Sequence, residues 1–439
     1  MDIATMLSAP PSPCPACGKI HYAGIDDVCI EAGARNRTAE YVKKYNGTRA
    51  FLLADKNTWE AAGKDVKEHL LANGIEVSPY ILSSMRAEPD EHAIGAVAAH
   101  MDRTCDIVVA VGSGVINDLG KVIAWLCNLP YIIVGTAPSM DGYASGQSSI
   151  IRDGIKYSLN TKCPNVVIGD LDILCKAPMK MIWAGFGDLL AKYISICEWR
   201  ISVLITGEYF CEEIAALVNT TLKNCVDNLD GIAKRDPNAI RNVMDGMILS
   251  GIAMNYATIS RPASGMEHYI SHIFDMQGVE FGTPIDLHGI QCGIATVESL
   301  RIYEKIASIQ APDREKALAS AKSFNIETWN AFLREKLGKS AETLIELEKK
   351  EGKYDVAKHA ERLEIILSRW NEILDIIRKL PSANEVESML HRLGAPTKFE
   401  EIGFTTEAKR DAIRMSKDIR DKYVGTRLLW DLGLLDEFV

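Results

Sequence analysis

Residues 106–142 read DIVVAVGSGVINDLGKVIAWLCNLPYIIVGTAPSMDG, and this stretch limits the fold most strongly. An apolar run stops at Gly112-Ser113-Gly114, an amphipathic run follows, and a second apolar run ends in a polar loop containing glycine. That is strand, tight turn, helix, strand and loop. The alternation also extends upstream. A helix is predicted over 32–44, a strand in AFLLAD (50–55), a helix over 57–73, a strand in GIEVSPYIL and a helix over 90–102. Strands this uniformly apolar cannot face water on either side, so they demand a parallel sheet covered by helices on both faces.

After Asp141 the pattern changes. Asp153-Gly154 between two short β-like runs predicts a hairpin, and VVIGDLDIL (166–174) reads as one more strand. From about Lys180 the chain reads as helix after helix: 181–203, 207–230, 237–259, 264–276, 288–306 and more. The charged run 311–380 reads as amphipathic helices with solvated faces. The expected organisation is an α/β nucleotide-binding domain over 1–175, with a cysteine-containing leader at 1–30, and an all-helical domain over 176–439. A ligand is expected in the cleft between two such domains.

Several residues carry candidate chemistry. Gly112, Ser113 and Gly114 open a helix after a strand, where backbone N–H groups and the helix dipole favour a pyrophosphate. A tight turn needs such glycines in any case. Asp55, ending the second strand, is placed to bond a ribose or to cap the helix behind it, while the adjacent Lys56 suits a 2′-phosphate. Thr136, Ser139, Asp141 and Ser145 crowd one loop at a strand's carboxyl end, the edge where open α/β sheets bind ligands. Lys156, on the hairpin, and Arg261, before Pro262, are candidate phosphate contacts, and each also reads as an ordinary solvated cation.

The stretch RPASGMEHYISHIFDMQGVEFGTPIDLH (261–288) holds three of the nine histidines. His268 and His272 share a helix face, and His288 follows a Gly/Pro break. With a carboxylate, Asp188 in the otherwise apolar GFGDLLAK, they form a candidate metal set. Capping or hydrogen-bonded histidines would produce the same spacing. Cys14, Cys17, His21 and Cys29 form a second ligand-like group, C-x2-C-x3-H-x7-C, whose spacing fits no standard knuckle. A loose, proline-rich leader is the expectation there.

A formal charge of −10 leaves no basic surplus to neutralise nucleic-acid phosphates. No apolar run reaches the ~18 residues that span a bilayer. A basic region followed by an apolar export segment is not seen, so a cytoplasmic location with reduced thiols is expected. The motifs of serine hydrolases, P-loop kinases and zincins are absent from the sequence.

Over essentially its whole length the chain resembles the sn-glycerol-1-phosphate dehydrogenases, within the iron-type alcohol dehydrogenase and dehydroquinate synthase superfamily. The resemblance rests on VGSGVINDLGK, TAPSMDGYAS, GFGDLLAKYIS, SRPASGMEHYISH, LHGIQCG and IRDKYVGTRLLWDLGLL. It implies metal ligation by Asp188, His268 and His288, with His272 beside them and available to a proton relay. It implies dinucleotide contacts at Gly112, Gly114, Asp118, Thr136, Ser139 and Ser145, and a substrate contact at Asp141. The implied reaction is NAD(H)- or NADP(H)-linked reduction of dihydroxyacetone phosphate. One divalent metal per subunit (zinc, nickel or ferrous iron) is implied, and a homodimer is expected as the commonest arrangement of soluble enzymes. A dehydroquinate synthase-like lyase or another polyol dehydrogenase of the superfamily is the alternative reading. A non-catalytic sensor or scaffold is a remote one. Gly135 departs from the pattern, standing where related proteins often have proline.

Overall fold

The computed structural model describes residues 3–83 and 88–439. Eight strands are present among them: β1 (Asp27–Glu31), β2 (Arg49–Asp55), β3 (Glu76–Leu82), β4 (Ile107–Gly112), β5 (Tyr131–Gly135), β6 (Gln147–Arg152), β7 (Ile155–Asn160) and β8 (Val166–Asp170). Six of them form one sheet in the order β1-β8-β5-β4-β2-β3, and every pairing in it is parallel. Ala50–Ala54 and Ile107–Val111 are fully buried, as strands covered on both faces must be. After β2 the chain goes out to β3 and then returns to the other side of β2 as β4. The strand order therefore reverses between β2 and β4, the kind of switch point at which open α/β sheets bind ligands beyond the strands' carboxyl ends. Asp55 and Gly112 end these two strands.

Strands β6 and β7 form the expected hairpin, with Asp153 and Gly154 at φ 54° and 75°, the left-handed pair that a two-residue turn requires. Strand β1 corrects the reading of 1–30 as a loose leader: Asp27–Glu31 pairs in parallel with Val166–Asp170. The helix expected over 57–73 is helical throughout 56–72 but carries one wider turn at Trp59–Gly63. The stretch read as one helix over 181–203 is two, Met179–Leu190 and Lys192–Thr206.

The chain divides into two compact units that are discontinuous in sequence: Met1–Leu189 with Ala216–Ile259, and Leu190–Ala215 with Ser260–Val439. A single boundary near 175 does not describe this. The Pro237–Ala257 helix belongs with the sheet because it packs on it; Met244 lies against Gly135 of β5 and Gly169 of β8. The second unit is helical among its described residues. Its aromatic core includes Phe274 against Phe399 and Phe404, and Trp329, Tyr354 and Trp430 around Phe324. In the 311–380 run the charges pair on the surface, as Arg314 does with Glu364, while Leu333, Leu344, Leu363 and Ile366 turn inward. No helix among the described residues is long and apolar enough to cross a membrane.

Candidate active site

In the first unit, β4 passes into the Gly114–Leu126 helix through a turn that leaves no room for a side chain: a Cβ on Gly112 would lie 2.4 Å from Ile116 Cβ. The N–H groups of the first helical turn have no carbonyl within the helix and form an anion-binding end. Gly112 and Gly135 are register partners, and the Thr136 N–H donates to the Gly112 carbonyl (3.0 Å), so the 136–145 loop starts beside this helix end. Thr136, Ser139 and Ser145 are all buried there.

Lys121 fixes the far side of that loop. The ammonium is fully buried, donates to the carbonyls of Gly142, Ser145 and Gln147, and lies 3.3 Å from the Asp118 carboxylate. Burial raises Asp118 above the usual carboxylate range, opposed chiefly by Lys121 and, less, by Lys156. Lys156 sits opposite Ile151 on the hairpin. Sequence reasoning quoted Lys121 in a motif but gave it no role. Its only signal is a lysine inside an apolar helix.

The loop then meets the Met179–Leu190 helix. Asp188, fully buried, accepts the Asp141 backbone N–H through Oδ2 (2.9 Å), and the Asp141 carboxylate accepts the Ser250 hydroxyl (2.9 Å). The contact depends on Gly185, where a Cβ would fall 1.8 Å from the Pro138 carbonyl oxygen. Asp55 caps the helix at Lys56 in a reciprocal box with Thr58, its Oδ1 accepting the Thr58 N–H.

In the second unit, His268 and His272 lie on the Met266–Phe281 helix, and His288 is the first residue of the His288–Ala307 helix. The His288 ring centroid is 5.0 Å from that of His268 and 5.3 Å from that of His272. The partners differ. His268 Nδ1 is 2.8 Å from Glu267 Oε1, whereas His272 Nδ1 is 3.9 Å from Asp275, beyond hydrogen-bond range. Ser271 Oγ meets His288 Nδ1 at 2.8 Å and is itself held by Gln291, which also binds Asp275. Each Nδ1 of His268 and His288 is held this way, the usual outer-shell arrangement of ligating imidazoles, and Cys292 Sγ lies 3.5 Å from His288 Nε2. Ligand atoms of His268, His288 and Cys292 lie within 4.8 Å of one another, as do those of His272, Asp275 and His288. The donor set fits a divalent transition metal.

Below the histidines is a carboxyl pair that the sequence did not reveal. Glu198 accepts from the Met266 and Gly425 N–H groups and the Tyr303 hydroxyl, and is pushed up to about 8 by burial and then by the Glu267 charge. A Cβ at Gly265 would lie 2.4 Å from a Glu198 carboxylate oxygen and 2.8 Å from one of Glu267, so a side chain there would displace the pair. Burial also raises the Cys292 thiol, but His268 and His288 outweigh it and bring it below its ordinary range.

Arg261 requires a correction. It is 3% exposed, and its guanidinium is spent on Glu208, the Tyr423 carbonyl and the Ser202 hydroxyl. With Lys192 on the Ala263 carbonyl and Ser195 on the Pro262 carbonyl, it anchors the RPASG turn and is not the solvated cation the sequence allowed.

Residues 29–178 match the family model for iron-containing alcohol dehydrogenases. The chain is similar to proteins named glycerol-1-phosphate dehydrogenase [NAD(P)+]. It is 30% identical to that of Bacillus velezensis over 92% of this chain and 91% of the relative. It is 28% identical to that of Bacillus licheniformis over 95% and 92%. Among solved structures, glycerol dehydrogenase from Schizosaccharomyces pombe shares the fold, with a TM-score of 0.59 at 17% identity, covering 94% of this chain and 89% of that one.

Proposed function

The chain belongs to the glycerol-1-phosphate dehydrogenase family of oxidoreductases, and we propose that it reduces dihydroxyacetone phosphate to sn-glycerol 1-phosphate, reversibly. The observation that carries this reading is the imidazole pair: His268 and His288 each have Nδ1 occupied by a neighbouring side chain. Asp188 completes the metal set that the resemblance assigns. When bound, a divalent metal supplies a Lewis acid for the C2 carbonyl oxygen and NAD(P)H supplies the hydride.

The chain's own contribution is position and charge. Gly112, Ser113 and Gly114 present the helix end to the pyrophosphate, and Thr136, Ser139, Ser145 and Asp118 line the dinucleotide's path. Asp55 would favour NAD by bonding the ribose 2′-hydroxyl, and Lys56 would accept a 2′-phosphate. Asp141, oriented by Ser250 and by its N–H on Asp188, holds the substrate's polar end. His272 is available to the relay that returns a proton to the product oxygen. With Arg261 committed elsewhere, Lys156 is the cation left for the phosphate among the two considered. We propose a homodimer in the cytoplasm acting on this small phosphorylated triose.

The test is Asp188→Asn, which keeps the shape but removes the charge. The expected result is loss of bound metal and of dihydroxyacetone phosphate reduction together. Metal loss with full activity would overturn the assignment.

A further inference from the structure

The leader's cysteines are absorbed by nothing above, yet they are ordered. Pro13 bridges Ile20 in antiparallel fashion, the Cys14 N–H donates to the Lys19 carbonyl (2.8 Å), and the Gly18 N–H donates to the Cys14 carbonyl (2.8 Å). Gly18 makes the turn at φ 73°. The result is a tight hairpin that places Cys14, Cys17 and His21 on one side, with ligand atoms within 4.8 Å of one another. Cys29, the fourth member of the sequence pattern, is elsewhere: it lies in β1, its Sγ bonded to Glu31 and Arg37.

The geometry points to a structural metal site of the zinc class in this hairpin, with Cys14, Cys17 and His21 as three of its ligands. Three observations converge on it. His21 Nδ1 faces the Tyr256 carbonyl at 3.0 Å; a carbonyl only accepts, so the ring proton sits on Nδ1 and Nε2 presents its lone pair. That lone pair is aimed at Cys17 Sγ, 3.4 Å away. Zinc–sulfur and zinc–nitrogen bonds at a tetrahedral angle put the two ligand atoms about 3.5 Å apart, so the observed separation is one edge of a zinc tetrahedron. The orienting carbonyl on the other ring nitrogen is the partner that ligating histidines need. The ring is further held by stacking on Tyr256 (5.2 Å). A structural site is closed by a fourth donor.

The site has a consequence for the loop described above. Tyr256 and Asn255 end the Pro237–Ala257 helix, and the Asn255 amide donates to the carbonyls of both Ala23 and Ala144. A metal on the hairpin therefore fixes the leader against the segment that holds Asp141 and Ser145.

The test uses the full chain, stripped by chelator and reloaded with cobalt(II) or zinc. Cobalt should produce sulfur-to-metal charge-transfer absorption that survives in Cys292→Ser and disappears in Cys14→Ser/Cys17→Ser, separating it from any metal at the histidines. Because the double variant could fail to fold, the unaltered chain is also alkylated with iodoacetamide, with and without zinc. Zinc should slow Cys14 and Cys17 severalfold, and any further protected thiol identifies the fourth donor. A cobalt-loaded chain without that absorption, or with an absorption lost in Cys292→Ser alone, overturns the site. Equal alkylation of Cys14 and Cys17 with and without zinc does the same.

Discussion

Replacing Gly185 by alanine should disable the enzyme although the residue touches neither substrate nor cofactor. Its new Cβ would lie 1.8 Å from the Pro138 carbonyl oxygen, where real contacts stay beyond 3.0 Å. Backbone cannot yield as a flexible side chain does, so the 136–141 loop and the Met179–Leu190 helix must part by at least 1.2 Å. Three residues beyond Pro138, the Asp141 N–H is held at 2.9 Å from Asp188, and a shift of that size breaks the bond. Overpacking costs about 1–3 kcal/mol, and loss of a hydrogen bond to a charged group about 1.5–3 kcal/mol. A misplacement near 1 Å costs on the order of 10²-fold in rate. Steady-state kcat/KM with dihydroxyacetone phosphate and a urea melt would measure both. Gly95→Ala is the control: it is on an exposed helix with nothing within 4 Å, and should stabilise by about 0.5–1 kcal/mol with unchanged rate. A Gly185→Ala enzyme with kcat/KM within a few-fold of the unaltered chain would refute the reasoning.

Two further substitutions test the second unit. Glu198, raised to about 8, binds its proton more tightly folded than unfolded; its contribution is complete below about 4.5 and is lost as pH rises through about 8. Glu198→Gln cannot titrate, so it should be less stable at low pH but lose less stability between about pH 5 and 8; a urea midpoint with the same slope in both proteins would contradict this. Arg261→Ala should lower stability by about 2–4 kcal/mol by orphaning its three acceptors, and should leave KM for the triose phosphate unchanged in the folded fraction; a large KM rise at unchanged stability would restore the phosphate clamp.

What the sequence made legible followed from local rules. Strands β2, β4 and β5 are read from their apolar runs, and the hairpin from Asp153-Gly154, because such residues accept two left-handed conformations in a row. The spacing of His268, His272 and His288 located three side chains that the structure brings together. Strand β1 escaped because DVCIE has an acid at each end and is a strand only by pairing with β8, far along the chain. The discontinuous units escaped for the same long-range reason. Arg261, Lys121, Lys192 and Glu198 show the commonest gap: a charge inside an apolar run signals burial, but its partners, and so its role, lie in distant segments. In the leader, the structure brings Cys14, Cys17 and His21 together, whereas β1 carries Cys29 away into the sheet.

The most direct test of the account is NADH oxidation with dihydroxyacetone phosphate, using apo protein reconstituted separately with zinc, nickel and ferrous iron. The product is then offered to an enzyme that oxidises only glycerol 3-phosphate. The account predicts metal-dependent turnover to a product which that enzyme ignores. No turnover with any of the metals, or a product which that enzyme consumes, would contradict it.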